Sequence, residues 1–205
     1  MKELLIIGAN GHGKVVADIA VKLGRYEKIF FFDDNEEIKD VLGIPCKGKV
    51  SLIEQEDKQC HAFVAIGNSR IRERILEQVQ NLGFEVPVLI HPNAVIAADV
   101  HFGCGSVVMA GAVVNSGTCI GKGVIVNTAC SVDHDCIIEN YSHVAVGAHL
   151  AGAVHVGKHT WIGAGAVVSN NISICDNIMI GAGAAVVKKI VEPGTYVGVP
   201  AKKLK

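Results

Sequence analysis

Every sixth residue from Ile96 to Val186 is hydrophobic. The series runs Ile96, Phe102, Val108, Val114, Ile120, Val126, Val132, Ile138, Val144, Leu150, Val156, Ile162, Val168, Ile174, Ile180, Val186, with no insertion or deletion in the register. A helix repeats its apolar positions near every 3.6 residues and a strand every 2. A strict period of six fits neither; it predicts a parallel β-helix built from hexapeptides. Such a coil is a narrow, rigid prism on which chemistry is mounted. Its thinness also predicts the composition: aromatic residues are only 5%, because large rings do not fit inside, and glycine is frequent, at 23 residues, because tight corners need it.

The register assigns interior slots. Cys130 and Cys136 fall four residues after Val126 and Val132, where other hexads place Ser106, Ala112, Thr118, Ser142, Ala148, Thr160, Ala166 and Ala184. Both cysteines are therefore expected as small buried fillers rather than catalytic thiols. The seven cysteines include no C-x-x-C pair, which argues against a disulfide framework or a zinc knuckle, and no metal site is expected.

Residues 1–90 follow a different pattern. Leu4–Ile7 reads as a short apolar strand that runs into Gly8-Ala9-Asn10-Gly11-His12-Gly13. Lys14–Leu23 has helical spacing and ends at Gly24. Lys28–Phe32 and Ala62–Ile66 read as further strands. Arg70–Leu82 reads as a helix capped by Asn68 or Ser69, with Ile71, Ile75, Val79 and Leu82 on one face. Phe84–Ile90 reads as a fourth strand. This alternation predicts a small parallel Rossmann-like α/β sheet over residues 1–91, followed by the all-β parallel β-helix over 92–205. Residues 192–205 are expected to leave the coil and fold over it.

The net charge is −1, which gives no electrostatic case for nucleic acid or an anionic membrane. No apolar run is long enough to span a bilayer. The apolar run near the start has about five residues, short of the typical 7–15 of a signal peptide. The cytoplasm is the expected compartment.

Two places carry chemistry. The first is the glycine-rich turn, whose backbone amides, at a helix N-terminus, suit a diphosphate. Its spacing is G-x-x-G-x-G rather than the dinucleotide G-x-G-x-x-G. Asp33 and Asp34, about 20 residues on, are placed to hydrogen-bond a ribose. His12 reads either as a solvated loop histidine or as a donor to a phosphate or sugar oxygen. The alternative for the whole turn is a tight bend with structural glycines. The second place is Asp133-His134-Asp135, the one turn of the coil with three ionisable groups in succession. A carboxylate beside an imidazole fixes its tautomer and raises its basicity, as a general base requires. The alternative is a surface histidine in a charged turn. His143 lies nine residues later. If three hexads make one coil, that is half a circuit, so His134 and His143 of one chain point to opposite sides. They share a site only between subunits. His101, His149, His155 and His159 have no carboxylate neighbour in sequence and read as structural or solvated.

The coil resembles the hexapeptide-repeat acyltransferases, and the resemblance implies a left-handed parallel β-helix. The whole chain resembles the branch of UDP-4-amino-sugar N-acetyltransferases and sialic acid O-acetyltransferase-like proteins. The markers are Gly8–Gly13, Phe32-Asp33-Asp34, Ala65-Ile66-Gly67-Asn68, Asn127-Thr128, Asp133-His134-Asp135, Ser142-His143-Val144 and Val197-Gly198-Val199-Pro200-Ala201-Lys202. The resemblance implies His134 as general base and Asp135 as the acidic neighbour that raises its basicity. It implies His143, with backbone at Ala164 and Ala182, as contacts for acetyl-CoA. Asn10, Gly11, His12, Asp33, Asp34 and Gly67 would line a nucleotide-sugar pocket, and a homotrimer would carry its active sites between subunits. Two residues depart from the pattern: Asn10 stands where serine is common, and Asp135 where glutamate is. The activity so implied is acetyl transfer from acetyl-CoA to the 4-amino group of a UDP-4-amino-4,6-dideoxy sugar in bacterial glycan biosynthesis. The competing expectations are O-acetylation of a sialic acid or other sugar, and a non-catalytic nucleotide-sugar-binding scaffold.

Overall fold

The computed structural model describes residues 2–204. They form two compact units, one ending at Pro92 and the next starting at Asn93.

The first unit holds a parallel sheet in the order β2-β1-β5, formed by β1 (Lys2–Ile7), β2 (Tyr26–Phe32) and β5 (His61–Val64). A small antiparallel pair, β3 (Asp40–Val41) and β4 (Ile44–Pro45), lies in the connection between β2 and β5. Leu4, Leu5, Ile6 and Ile7 of β1 are completely buried. A central parallel strand is covered on both faces and reads as a continuous apolar run rather than an alternating one. The expected fourth strand over 84–90 reduces, beside β5, to a single bridge between His61 and Glu85. Pro87 has no N–H to extend a ladder there.

The helices are α1 (Gly11–Leu23) and α2 (Ser69–Asn81). Helix α1 starts three residues before its apolar pattern, with Asn10 as N-cap, so His12 and Gly13 belong to the first turn rather than to a loop. Gly13 permits this start, since a Cβ there would sit 2.1 Å from the Gly8 carbonyl oxygen. For α2, Asn68 is the cap: its side chain accepts from the N–H groups of Arg70 and Ile71, both at 3.1 Å. The buried face is Arg72, Ile75, Leu76 and Val79, while Ile71 is exposed.

The second unit is a parallel β-solenoid. Two-residue strands pair with the strand 18 residues on, as Val113 with Ser131 and Ile125 with His143. Three hexads therefore make one rung, and the strands stack into three faces. Those that include Ser131–Val132, Ile137–Ile138 and His143–Val144 are here the first, second and third faces. The second residue of each strand points inward, and from Val108 to Val186 every member of the period-six series is at most 3% exposed. Each such burial contributes ~1.5–3 kcal/mol. Ile96 and Phe102, in the opening rung, are only half-buried. Cys130 and Cys136 are buried in the filler slot, and the Cys130 thiol is pushed up to about 12 by desolvation. The corners also repeat: every sixth residue from 105 to 183 has φ between 53° and 73°, seven glycines and seven other residues. Past the coil, Gly194–Val197 adds a parallel strand beside Ile178–Ile180, and Lys202–Lys203 turns back antiparallel on it. The C-terminal segment thus extends the third face rather than folding over the coil, because its backbone completes the ladder that the last full rung leaves open.

Candidate active site

The corner between the first and second faces carries His134 and Asp135. Asp135 occupies the left-handed corner position, φ 58°, which aspartate tolerates better than most side chains. From there its Oδ2 reaches His134 Nδ1 at 2.8 Å. Asp133 Oδ1 accepts the His134 N–H at 2.8 Å and the Asn115 side-chain amide at 2.8 Å. The turn is stitched from within by buried Thr118, whose hydroxyl donates to the Asp133 carbonyl at 2.8 Å and accepts from the Cys136 N–H. Rungs on either side add backbone bonds: Asp135 N–H to Ser116 carbonyl and Ala153 N–H to His134 carbonyl, at 2.9 and 2.8 Å.

The electrostatics suit a base. The Asp135 hydrogen bond, reinforced by the charge of Asp133, raises the His134 pKa above its ordinary value. Hydrogen bonds from Asn115 and the His134 N–H hold Asp133 below the usual carboxylate range. With Nδ1–H held by a carboxylate, Nε2 is the nitrogen left with a lone pair. The side chain of His134 is 60% exposed, so a reacting group has access.

His143 lies on the third face, across the prism from that corner, as the half-circuit spacing requires. Its neighbours in the ladder are Ile125 and Trp161, and its ring packs on Trp161 at a centroid distance of 4.5 Å. The Asn127 side-chain amide faces His143 Nε2 at 2.9 Å, while Asn127 Oδ1 accepts the Thr128 N–H. Asn127 therefore donates to Nε2 and places the proton of His143 on Nδ1. Ala164 and Ala182 are exposed and lie one rung apart; the Ala164 carbonyl accepts from the Gly183 N–H at 2.9 Å.

In the first unit, Asn10 and Gly11 are exposed at the start of α1, and no atom lies within 4 Å of where a Gly11 Cβ would be. Gly11 is thus not required by internal packing. A concavity of ≈ 500 Å³ opens there, lined by Asn10, Gly11, Lys14, Lys39 and Leu42 among others. Asp33 acts on the backbone: its carboxylate accepts from the N–H of Ala9 at 2.7 Å and of Asn35 at 2.9 Å. Asp34 accepts the Val50 N–H at 3.0 Å. His12 is not a solvated loop residue. The residue keeps some exposure, but Nε2 is sealed from solvent with no hydrogen-bond partner. Desolvation, with the positive charge of Arg72, lowers its pKa to about 4. Arg72 is 1% exposed and donates to the carbonyls of Ile66 and Gly67 at 2.8 and 2.7 Å.

Several partners were not visible in the linear pattern. Asn115 and Thr118 reach the His134 turn from the preceding rung, a spacing that the 18-residue circuit makes searchable. His155, which has no carboxylate neighbour in sequence, has one in space: Glu139 Oε1 lies 3.4 Å from its Nε2. Nothing in a helical pattern announces Arg72 as a buried cation. Among the described residues, no group of three or more His, Cys, Asp or Glu side chains is placed to hold a metal ion. No helix among them is long and apolar enough to cross a membrane.

Known proteins share this fold. The PglD N-terminal domain family matches residues 3–79. The acetyltransferase domain of PglB from Neisseria gonorrhoeae FA1090, solved with acetyl coenzyme A, is 44% identical. Its TM-score is 0.97, over 99% of this chain and 99% of that one. A variant of perosamine N-acetyltransferase from Caulobacter crescentus, solved with CoA and GDP-perosamine, is 33% identical at a TM-score of 0.95. The match covers 100% of this chain and 98% of that one. UDP-N-acetylbacillosamine N-acetyltransferase of Bacillus subtilis (strain 168) is 32% identical over 114 residues. That match takes in 54% of this chain and 52% of the relative, so it spans about half the relative's length.

Proposed function

Because the chain belongs to the hexapeptide-repeat N-acetyltransferase family, we propose that it transfers the acetyl group of acetyl-CoA to the 4-amino group of a UDP-4-amino-4,6-dideoxy sugar in bacterial glycan biosynthesis. The observation that carries this reading is the His134–Asp135 contact at 2.8 Å, on an accessible corner, in a chain this similar to proteins solved with acetyl-CoA and with a 4-amino-sugar nucleotide.

The chemistry follows from the dyad. Asp135 holds the Nδ1–H, and the Nε2 lone pair takes a proton from the sugar amine as its nitrogen attacks the thioester carbonyl. The N–C bond forms and the C–S bond breaks. The proton passes from the imidazolium to the departing sulfur, so His134 ends neutral and free CoA thiol is released. No acyl-enzyme is needed; Cys130 and Cys136 are buried, and burial pushes both thiols up. His143, with the exposed backbone at Ala164 and Ala182, would contact acetyl-CoA. Asn10, Gly11, His12, Asp33, Asp34 and Gly67 would form or brace the nucleotide-sugar pocket. There the amino end of α1 favours a diphosphate, while Lys14 and Lys39 in the lining are offset by Glu37 and Asp40.

His134 and His143 lie on opposite sides of one prism, so a site using both takes them from different chains. This supports a homotrimer with three interfacial sites. Acetyl-CoA and nucleotide sugars are both cytoplasmic compounds, which supports the cytoplasm as the place of reaction.

The test is a screen of UDP- and GDP-linked 4-amino sugars with acetyl-CoA, following thiol release, with a sialic acid as the O-acetylation arm. Turnover on an amino sugar is the expected result. Turnover on sialic acid alone overturns N-acetylation, and absence of any acetyl-CoA binding by calorimetry returns the scaffold reading. Native mass should equal three chains.

A further inference from the structure

One rung beyond His134, 18 residues on, stands Gly152. The Ala153 N–H bonds the His134 carbonyl at 2.8 Å and holds the two corners in register, and the Gly152 carbonyl accepts from the Asn171 N–H of the next rung at 3.0 Å. A Cβ on Gly152 would lie 2.5 Å from both His134 Cε1 and Nε2, and 3.1 Å from Cδ2. Carbon atoms pack at ~3.5–4.0 Å, so the imidazole occupies the space that any side chain would need. The repeat makes this glycine singular. In its slot, counted every six residues from Ala98 to Ala182, every other residue carries a side chain. Nor does the backbone demand glycine, because the positive-φ corner is the next residue, Ala153, and not Gly152.

We propose that Gly152 is a positioning residue: its missing side chain makes the seat on which the His134 ring lies while Nδ1 faces Asp135. This rests on the reading of His134 as the base. The charged groups facing the ring are Asp133 and Asp135, both from its own turn. From the preceding rung, Gly117 seats the other partner, since a Cβ there would lie 2.5 Å from Asp135 Oδ1. Gly117 has φ 73°, however, so a substitution there also strains the backbone. Gly152→Ala separates the two effects. Its backbone accepts alanine, and His134 is exposed enough to swing aside, so folding is spared while the base is displaced.

The experiment compares Gly152→Ala with His134→Ala in the full-length enzyme. Gly152→Ala should keep the wild-type thermal midpoint and both KM values while kcat falls on the order of 10²-fold, as misplacement by about 1 Å does. In the substrate-free protein, NMR titration of the His134 ring should show its pKa dropping toward 6.5, because the Asp135 contact is lost. The wild type should show a nuclear Overhauser contact between His134 Hε1 and Gly152 Hα. If Gly152→Ala turns over like wild type while His134→Ala is inactive, the seat is overturned and the base reading survives. If His134→Ala retains full turnover, the base reading fails, and the ring contact and titration alone decide the seat. Should Gly152→Ala not fold, the wild-type ring contact decides; its absence overturns the proposal.

Discussion

His134 and His12 are the same residue type in opposite surroundings. His134 stands on an open corner of the solenoid with a carboxylate on Nδ1, and its pKa is raised. His12 sits in the first turn of α1 with Nε2 sealed and Arg72 nearby, and its pKa is lowered to about 4. One imidazole is prepared to take up a proton near neutral pH. The other is kept neutral, fit to hydrogen-bond but not to exchange protons in that range. The difference comes from the two folds. The solenoid adds one thin layer of backbone per rung and leaves its corners in solvent, whereas the α/β unit packs a helix over each crossover and encloses what lies in the first turn.

The largest effect should come from removing the base. His134→Ala is expected to lower kcat by roughly 10²–10⁴, and wild-type kcat in steady-state assays would break the contrast on the solenoid side. Asp135→Asn removes the main cause of the raised pKa. Activity should fall less, and the acid limb of kcat/KM should move to lower pH, because the hydrogen bond that raises the His134 pKa is weakened. A pH–rate profile with an unmoved limb would take Asp135 out of the dyad.

On the His12 side the sign is reversed. The folded pKa lies below the unfolded 6.5, so the unfolded chain binds the proton first. Stability is full above pH 6.5, is lost as pH falls from 6.5 toward about 4, and levels off below that. The loss is on the order of 3 kcal/mol. His12→Gln should flatten this stretch of the urea-midpoint curve; an unchanged slope would mean that His12 is not sealed. Arg72→Met leaves the carbonyls of Ile66 and Gly67 short of donors and should cost ~1–3 kcal/mol in urea denaturation. It should also raise the His12 pKa. The smallest effect is His143→Ala, which should raise the KM for acetyl-CoA with little change in kcat. Initial rates over an acetyl-CoA series check it, and an unchanged KM removes His143 from the cofactor side.

The solenoid was legible to the level of single slots because its contacts are a fixed function of sequence distance. Residue i meets residue i+18, so the inward positions, the cysteine fillers and the half-circuit between His134 and His143 follow from counting. The same rule would have found Gly152 over His134 and Gly117 under Asp135. The α/β unit was legible only in its order of strands and helices. The reading of Ile71 as a core residue failed because the buried face runs through Arg72, whose partners are carbonyls of the turn between β5 and α2 rather than an apolar neighbour. The fourth strand failed beside β5 because Pro87 has no N–H with which to extend the ladder past the bridge at Glu85.

The sequence alone determined the six-residue register, the two-unit organisation and the turn that carries His134, since each depends on local spacing or on a repeat that samples the same contact many times. The tertiary structure decided what each polar group faces. It turned Asp33 toward the Ala9 amide, buried Arg72 against two carbonyls, sealed His12 beside it and laid the His134 ring over Gly152. These are single long-range contacts between unlike elements, and no periodicity in the chain encodes a contact that occurs only once.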